Sequence, residues 1–277
     1  TKEELKVSSD YFIHFKEAHP QPISLIGLKH INLKEASEKI RHSKKEVNTP
    51  SIQTEVSDDL KNAAFAHLHN HSQFSVLQST ISINDLVKTT ASLKMPAVAL
   101  TDHGNMMGAF HFVSAILNHN KVAEGKNKQA IENNEIPTET IIKPIVGCEF
   151  FVCENHLDKT RKDSGYQVVL LAKNKKGYHN LAKMASIAYT KGFYYVPRID
   201  RSLIEKYKED LIVLTGNLYG EIPSKILNIG ENQAEEALIW WKQQFGSDLY
   251  IEVMRHNQED ENRVNASLIS LAKKNDI

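Results

Sequence analysis

The sequence predicts an α/β barrel preceded by an extension, and three observations carry that reading. From Phe65 onward, short apolar segments of strand composition alternate with amphipathic helical stretches. The units are too numerous for a small open sheet, and residues 1–64 show neither feature. Strand–helix repetition joins parallel strands through crossover helices, so residues 65–277 are expected to form a parallel barrel domain and residues 1–64 a linker with appended helices.

The units follow in order. "FAHLH" leads into the helical "INDLVKTTASLK", and "PAVALTDH" leads into "MGAFHFVSAILNHN". Residues 118–142 are polar and read as a surface loop inserted before the next strand, "KPIVGCEFFV". "YQVVLLAKN" precedes the helix "KGYHNLAKMASIAYT"; "DLIVLTG" precedes two helices ending in "ENQAEEALIWWKQQF"; "DLYIEVMRH" precedes "EDENRVNASLISLAKK". In the extension, "NLKEASEKIRHSKK" reads as a solvated helix rather than a phosphate-binding tether through Arg41, Lys44 and Lys45, and "EVNTPSIQTEVSDD" reads as polar linker. The chain opens on Thr1 rather than Met and stops within helical text, as a piece of a longer protein would.

Lys+Arg (34) balance Asp+Glu (34), so no global positive field draws the chain to nucleic acid. Cys148 and Cys153 form no CxxC pair and fall on opposite faces of one strand, which predicts free thiols in a reducing compartment. There is no signal peptide, and no apolar run nears the ~20 residues of a membrane span. A cytoplasmic protein without membrane contact is expected. Neither a phosphate loop nor a nucleotide-binding glycine fingerprint occurs.

Chemistry concentrates in a few places. His67, His69 and His71 occupy alternate positions, which sends imidazoles to one side of an extended segment. Two neutral imidazoles at HxH spacing can ligate one ion while the strand holds them. Barrel active sites lie at the carboxyl ends of strands, a rule that selects Asp102 and His103 in "TDHGN", Glu149, Asn217 and His256. Glu149 stands in the apolar "PIVGCEFFV", where a carboxylate is expensive to bury unless paired or bound to a cation. His111, His119, His156 and His179 read as surface or packing histidines, and Trp240 and Trp241 as helix packing rather than a base-stacking platform.

"FAHLHNHSQFSVL", "AVALTDHGNMMGAFHF", "IKPIVGCEFFV", "LLAKNKKGYHNLAKMASIAYTKGFYYVPRIDR" and "LTGNLYGEIP" together resemble the polymerase and histidinol phosphatase (PHP) domain that opens bacterial DNA polymerase III alpha subunits. "QPISLIGLKH" is similar to the linker of alpha subunits that carry an amino-terminal proofreading exonuclease domain. The resemblance implies a distorted (β/α)7 barrel, here truncated at its carboxy-terminal end, because the family's closing Asp and His would fall beyond Ile277. It also implies a site for up to three divalent ions. By motif, its ligands match His69, His71, His103 and Glu149, with Asp102 beside them and His67 as a neighbour.

Three positions depart from the family. Gln78 stands where metal-bound members have Asp, Gln167 where they have His, and Asn217 where they have Cys or His. Amides add no charge and bind such ions weakly, so a full trinuclear centre is not expected. The expectation is no ion or a single Zn²⁺, Mn²⁺ or Mg²⁺. The implied function is the PHP region of a DNA-directed DNA polymerase, acting mainly as a structural and docking module. Its implied partners are the rest of the polymerase chain, a proofreading exonuclease subunit or domain, and DNA through the parent polymerase. The alternatives are a metal-dependent phosphoesterase (3′–5′ exonuclease or pyrophosphatase) using the residual ion, with His103 and Asp102 assisting, and a stand-alone histidinol-phosphatase-like enzyme.

Overall fold

A computed structural model describes residues 63–256 and 258–277, so the expectations for residues 1–62 lie outside the described residues. Six strands form the sheet: β1 (Ala97–Leu100), β2 (Lys143–Cys153), β3 (Tyr166–Ala172), β4 (Arg198–Asp200), β5 (Leu211–Leu214) and β6 (Leu249–Tyr250). Their order is β1-β2-β3-β5-β6, with β4 beside β2. The long β2 pairs with β1 through residues 143–146 and with β4 through 151–153.

The class is α/β as expected, but the sheet is mixed. β1, β4 and β6 run parallel to their partners, whereas β3 is antiparallel to both β2 and β5. Residues 154–165, between β2 and β3, contain no helix, so the chain turns back on itself instead of crossing over. β4, whose three residues follow a proline, was not among the predicted strands.

"FAHLH" is extended but is not a regular strand. It lies along the open edge of β1, where Ala99 N–H donates to His67 O (2.9 Å) and Thr101 N–H to Asn70 O (2.9 Å). The Asn70 amide fastens this segment by donating to Ala99 O (3.0 Å) and His67 O (3.2 Å). At the opposite edge, Glu252 just past β6 reaches His69 Nδ1 at 2.8 Å. A contact between groups on the two sheet edges requires the sheet to curl into barrel form.

Alternation along the strands divides the core. Cys148, Phe150, Val152, Val168 and Leu170 face outward onto the helices, where Leu181, Met184, Ile204 and Leu238 are buried against them. Ala99, Val169, Leu171 and Leu214 face inward. The first helix, α1 (Ile83–Ser92), is capped by Ser82, whose hydroxyl accepts from Asp85 N–H at 3.1 Å. It lays Ile83, Leu86 and Val87 on Val98 and Leu100.

The next helix, α2 (Ala109–Glu132), runs through most of the stretch expected to be a loop. Its Lys, Ala, Gln and Glu are strong helix formers, so a polar composition here marks a solvated helix face. Asn120 and Asn127 stitch the helix to the returning chain by accepting from Ile142 N–H (2.9 Å) and Glu139 N–H (3.0 Å).

The remaining helices are α3 (Lys175–Thr190), α4 (Arg201–Tyr207), α5 (Glu221–Asn228), α6 (Glu231–Phe245) and α7 (Glu259–Asn275). Trp241 is buried and donates its Nε1–H to Glu221 (2.9 Å), and Trp240 lies under the Arg201 guanidinium, so both tryptophans belong to helix packing. Cys148 and Cys153 are free and buried. None of the described helices is long and apolar enough to cross a membrane.

Arg198 is fully buried, and it staples the β2–β3 loop. Its guanidinium donates to the carbonyls of His156 (3.3 Å), Asp158 (2.7 Å), Asp163 (3.0 Å) and Gly192 (3.0 Å).

Candidate metal centre

Three chain segments converge at the carboxyl end of β1 and on the middle of β2. Beyond β1 the chain continues alongside β2: Glu149 N–H donates to Asp102 O (3.1 Å) and Gly104 N–H to Glu149 O (2.7 Å). This pairing sets His103 next to Glu149. Residues 69–71 enter from the β1 edge, and the turn after β5 brings Asn217.

Glu149 is 1% exposed, and its carboxylate is surrounded by nitrogen. Oε2 lies 2.5 Å from His103 Nδ1 and 2.9 Å from His71 Nε2; Oε1 lies 3.4 Å from His69 Nε2 and accepts from Asn217 Nδ2 at 3.3 Å. Burial alone would raise the carboxyl pKa, but the contacts with His103, His69 and His71 outweigh it and hold Glu149 well below the usual carboxylate range. For His69, burial favours the neutral ring, and its contacts with Glu149 and Glu252 overcome that, pushing it up to about 9.

One ligand atom each from His69, His71 and Glu149 lies within 4.8 Å of the others. The Nε2 atoms of His69 and His71 are buried, and neither makes a hydrogen bond despite lying close to Glu149. Two imidazoles and a carboxylate gathered this closely suit a cation, and this donor set suits Zn²⁺ or Mn²⁺.

The other expected site residues are placed differently. Asp102 is 1% exposed and turned away into a serine pocket, accepting from Ser72 N–H (2.7 Å), Ser72 Oγ (2.8 Å) and Ser75 Oγ (2.7 Å). It anchors the loop after His71 and is not in the ligand group. His103 touches Glu149 but is also outside the group of three. His67 is exposed, so alternation brings only His69 and His71 together. Gln78 is exposed, and Gln167 keeps a buried Oε1 without a partner.

His111 stacks on Phe74, His119 bonds Thr140 O, His156 bonds Asp200 and His256 bonds Glu261. Each of these has a local structural partner, and His179 is exposed; His256, which the strand-end rule selects, lies outside the ligand group.

Glu252 was missed. Nothing local marks it, since in "DLYIEVMRH" it is one more glutamate near a strand end. A half-open cavity of ≈ 1460 Å³ lined by Ile145, Leu171, Leu214 and Tyr250 has His69 and Glu252 in its wall.

A curled α/β sheet with histidines and a glutamate gathered at its strand ends defines a class, and the chain matches the PHP domain model over residues 67–256. It belongs to the PHP domain family. Within that family it is similar to DNA polymerase III subunit alpha of Aquifex aeolicus, with 39% identity over 223 residues covering 77% of this chain and 17% of that protein. The subunit of Borreliella burgdorferi shows 36% identity (76% of this chain, 17% of that protein), and that of Treponema pallidum 39% (76% and 16%). The chain thus spans only about a sixth of the length of these relatives. A solved structure from Bifidobacterium adolescentis, described as a metal-dependent phosphoesterase, aligns at 14% identity with a TM-score of 0.41, covering 78% of this chain and 85% of that one.

Proposed function

We propose that this chain is the PHP region of a replicative DNA polymerase of the polymerase III alpha type, serving mainly as a structural and docking module whose metal site is reduced to one divalent cation. The observation that carries this reading is the Asn217 amide donating to Glu149 Oε1 (3.3 Å). In the metal-bound family members that the sequence resembles, this position supplies a lone pair to a metal. Here it donates a hydrogen to the Glu149 carboxylate instead.

His69, His71 and Glu149 would hold the remaining Zn²⁺, Mn²⁺ or Mg²⁺, and Asp102 keeps the loop between them and β1 in place. The module's partners would be the rest of the polymerase chain, through which DNA is reached, and a proofreading exonuclease subunit or domain.

The unpartnered Nε2 atoms of His69 and His71 favour a second reading, a phosphoesterase acting as a 3′–5′ exonuclease or pyrophosphatase. A bound cation supplies Lewis-acid polarisation of a phosphoryl oxygen. In that reading His103, 17% exposed and against Glu149, holds the proton to be exchanged with substrate.

Elemental analysis after loading with Zn²⁺ or Mn²⁺, followed by hydrolysis assays on single-stranded DNA and pyrophosphate, separates the two. The docking reading expects no more than one ion per chain and no turnover. Two or more ions together with turnover abolished in His71→Ala would overturn it.

A further inference from the structure

We infer that Glu252 is the second carboxylate of this centre: it receives the Nδ1–H of His69, turns that ring's Nε2 toward Glu149, and completes the negative charge that one divalent cation balances. The inference rests on reading His69, His71 and Glu149 as a cation site, and it goes beyond that reading by assigning a positioning residue to it.

The geometry is specific. His69 Nδ1 lies 2.8 Å from Glu252 Oε1 while the same ring's Nε2 faces Glu149 at 3.4 Å, so one imidazole spans two carboxylates. A ligating histidine whose far nitrogen donates to a carboxylate has its tautomer and ring angle set before the ion arrives. Glu252 is itself held, since its N–H donates to the Thr215 hydroxyl (3.0 Å) and Thr215 N–H donates to Tyr250 O (3.1 Å). Thr215 is 3% exposed, which makes this a rigid mount rather than a surface contact.

Charge supplies the second line. The Glu252 side chain is 13% exposed, its Oε2 is buried without a partner, and His69 is its one ionic partner among the described residues. A sunken carboxylate with no Lys or Arg is costly unless positive charge is brought to it. Glu149 and Glu252 together carry two negative charges, the amount one divalent cation neutralises when the imidazoles are neutral. Asp102 cannot fill this role, because Ser72 and Ser75 occupy its carboxylate. The same contact spans the two sheet edges, so the position of His69 depends on the curl of the sheet.

The test uses the full chain and its Glu252→Gln, Glu252→Ala and Glu149→Gln variants. Each is titrated with Zn²⁺ in competition with a chromogenic chelator, and the His69 ring nitrogens are followed by 15N NMR. The wild-type chain is expected to bind one ion with the His69 proton on Nδ1, and Glu149→Gln to lose binding. Glu252→Ala should weaken Kd by about 10–100-fold. Glu252→Gln, whose amide oxygen still accepts the Nδ1–H but brings no charge, should keep the Nδ1–H signal and weaken Kd by less.

A wild-type Kd and an unmoved His69 signal in Glu252→Ala would overturn this inference, while loss of binding in Glu149→Gln would leave the centre standing. Failure of the wild-type chain to bind Zn²⁺ would overturn the centre and the inference with it. If circular dichroism shows Glu252→Ala unfolded, Glu252→Gln decides, because an unchanged Kd there removes the charge role and a weakened one supports it.

Discussion

Asp102→Ala separates an anchoring carboxylate from a ligand. The Asp102 side chain accepts one backbone N–H and two hydroxyls, from Ser72 and Ser75, which are 0% and 2% exposed. Removing it strands a buried N–H at a cost of about 2 kcal/mol and two hydroxyl protons at about 1 kcal/mol each. The hydroxyls lose no more than that, since each keeps its acceptor role: Ser72 Oγ receives Phe74 N–H (3.2 Å) and Ser75 Oγ receives His103 N–H (2.9 Å). The expected loss is therefore about 4 kcal/mol, a large part of the 5–15 kcal/mol typical of a domain. With an m-value of roughly 2 kcal/mol/M, urea unfolding followed by far-UV circular dichroism should show the midpoint about 2 M lower. Asp102→Asn keeps an acceptor oxygen and gives up the charge, so it should lose about 1–2 kcal/mol and still bind one Zn²⁺. Asp102→Ala within about 1 kcal/mol of wild type would refute the anchor, as would loss of Zn²⁺ by a folded Asp102→Asn protein.

Three further outcomes are expected. In metal-free protein the charged His69 ring, raised from 6.5 to about 9, contributes stability that is fully present below pH 6.5 and lost as pH rises through about 9. The stability difference between wild type and His69→Gln should shrink by about 3 kcal/mol from pH 6.5 to beyond pH 9, and a flat difference in urea titrations would count against the Glu149–His69–Glu252 pairing. Arg198→Met leaves the carbonyls of His156, Asp158, Asp163 and Gly192 without their donor and should lower stability by about 3–5 kcal/mol, with proteolysis appearing first in residues 154–165. Trp241→Phe removes the indole donor from Glu221 but leaves that carboxylate paired with Arg201 and Lys225, so a loss of only about 1–2 kcal/mol by thermal unfolding is expected.

What the sequence showed and what it hid follow from how local each determinant is. Long apolar runs such as "KPIVGCEFFV" and "YQVVLLA" announce themselves, because a strand buried on both faces needs nearly every residue apolar. Strand direction is not written that way. β3 runs antiparallel because the connection before it lacks a helix, and "ENHLDKTRKDSG" carries no sign of the Arg198 guanidinium that gathers its carbonyls. β4 is three residues long and exists through its pairing with β2, a partner distant in sequence. The polar run after α2 begins was legible as solvent-facing, yet polarity alone does not distinguish a loop from an exposed helix face. At the site, HxH and Glu149 could be found because their residue types are unusual in their settings. Glu252 looks like any glutamate near the end of a strand, and only the curl of the sheet, which brings residue 252 to residue 69, gives it a role.

The fold buries charge in two ways, and the contrast indicates where chemistry can occur. Arg198, 0% exposed, meets carbonyl dipoles belonging to the backbone; none can titrate, leave or be replaced, so the charge is locked and its effect is to fix the loop. Glu149, 1% exposed, meets imidazole nitrogens instead. Each of these can carry a proton or offer a lone pair, so the positive charge opposite Glu149 can be supplied by histidinium or by a cation in exchange for protons. Exposure differs as well, since the His71 and His103 side chains beside Glu149 are 24% and 17% exposed whereas Arg198 is 0% exposed. A buried charge whose partners can exchange and which solvent can reach is a place for binding, whereas one sealed by backbone is a rivet. By that criterion the region around Glu149, with His69 and His71, meets the physical requirements of a cation site.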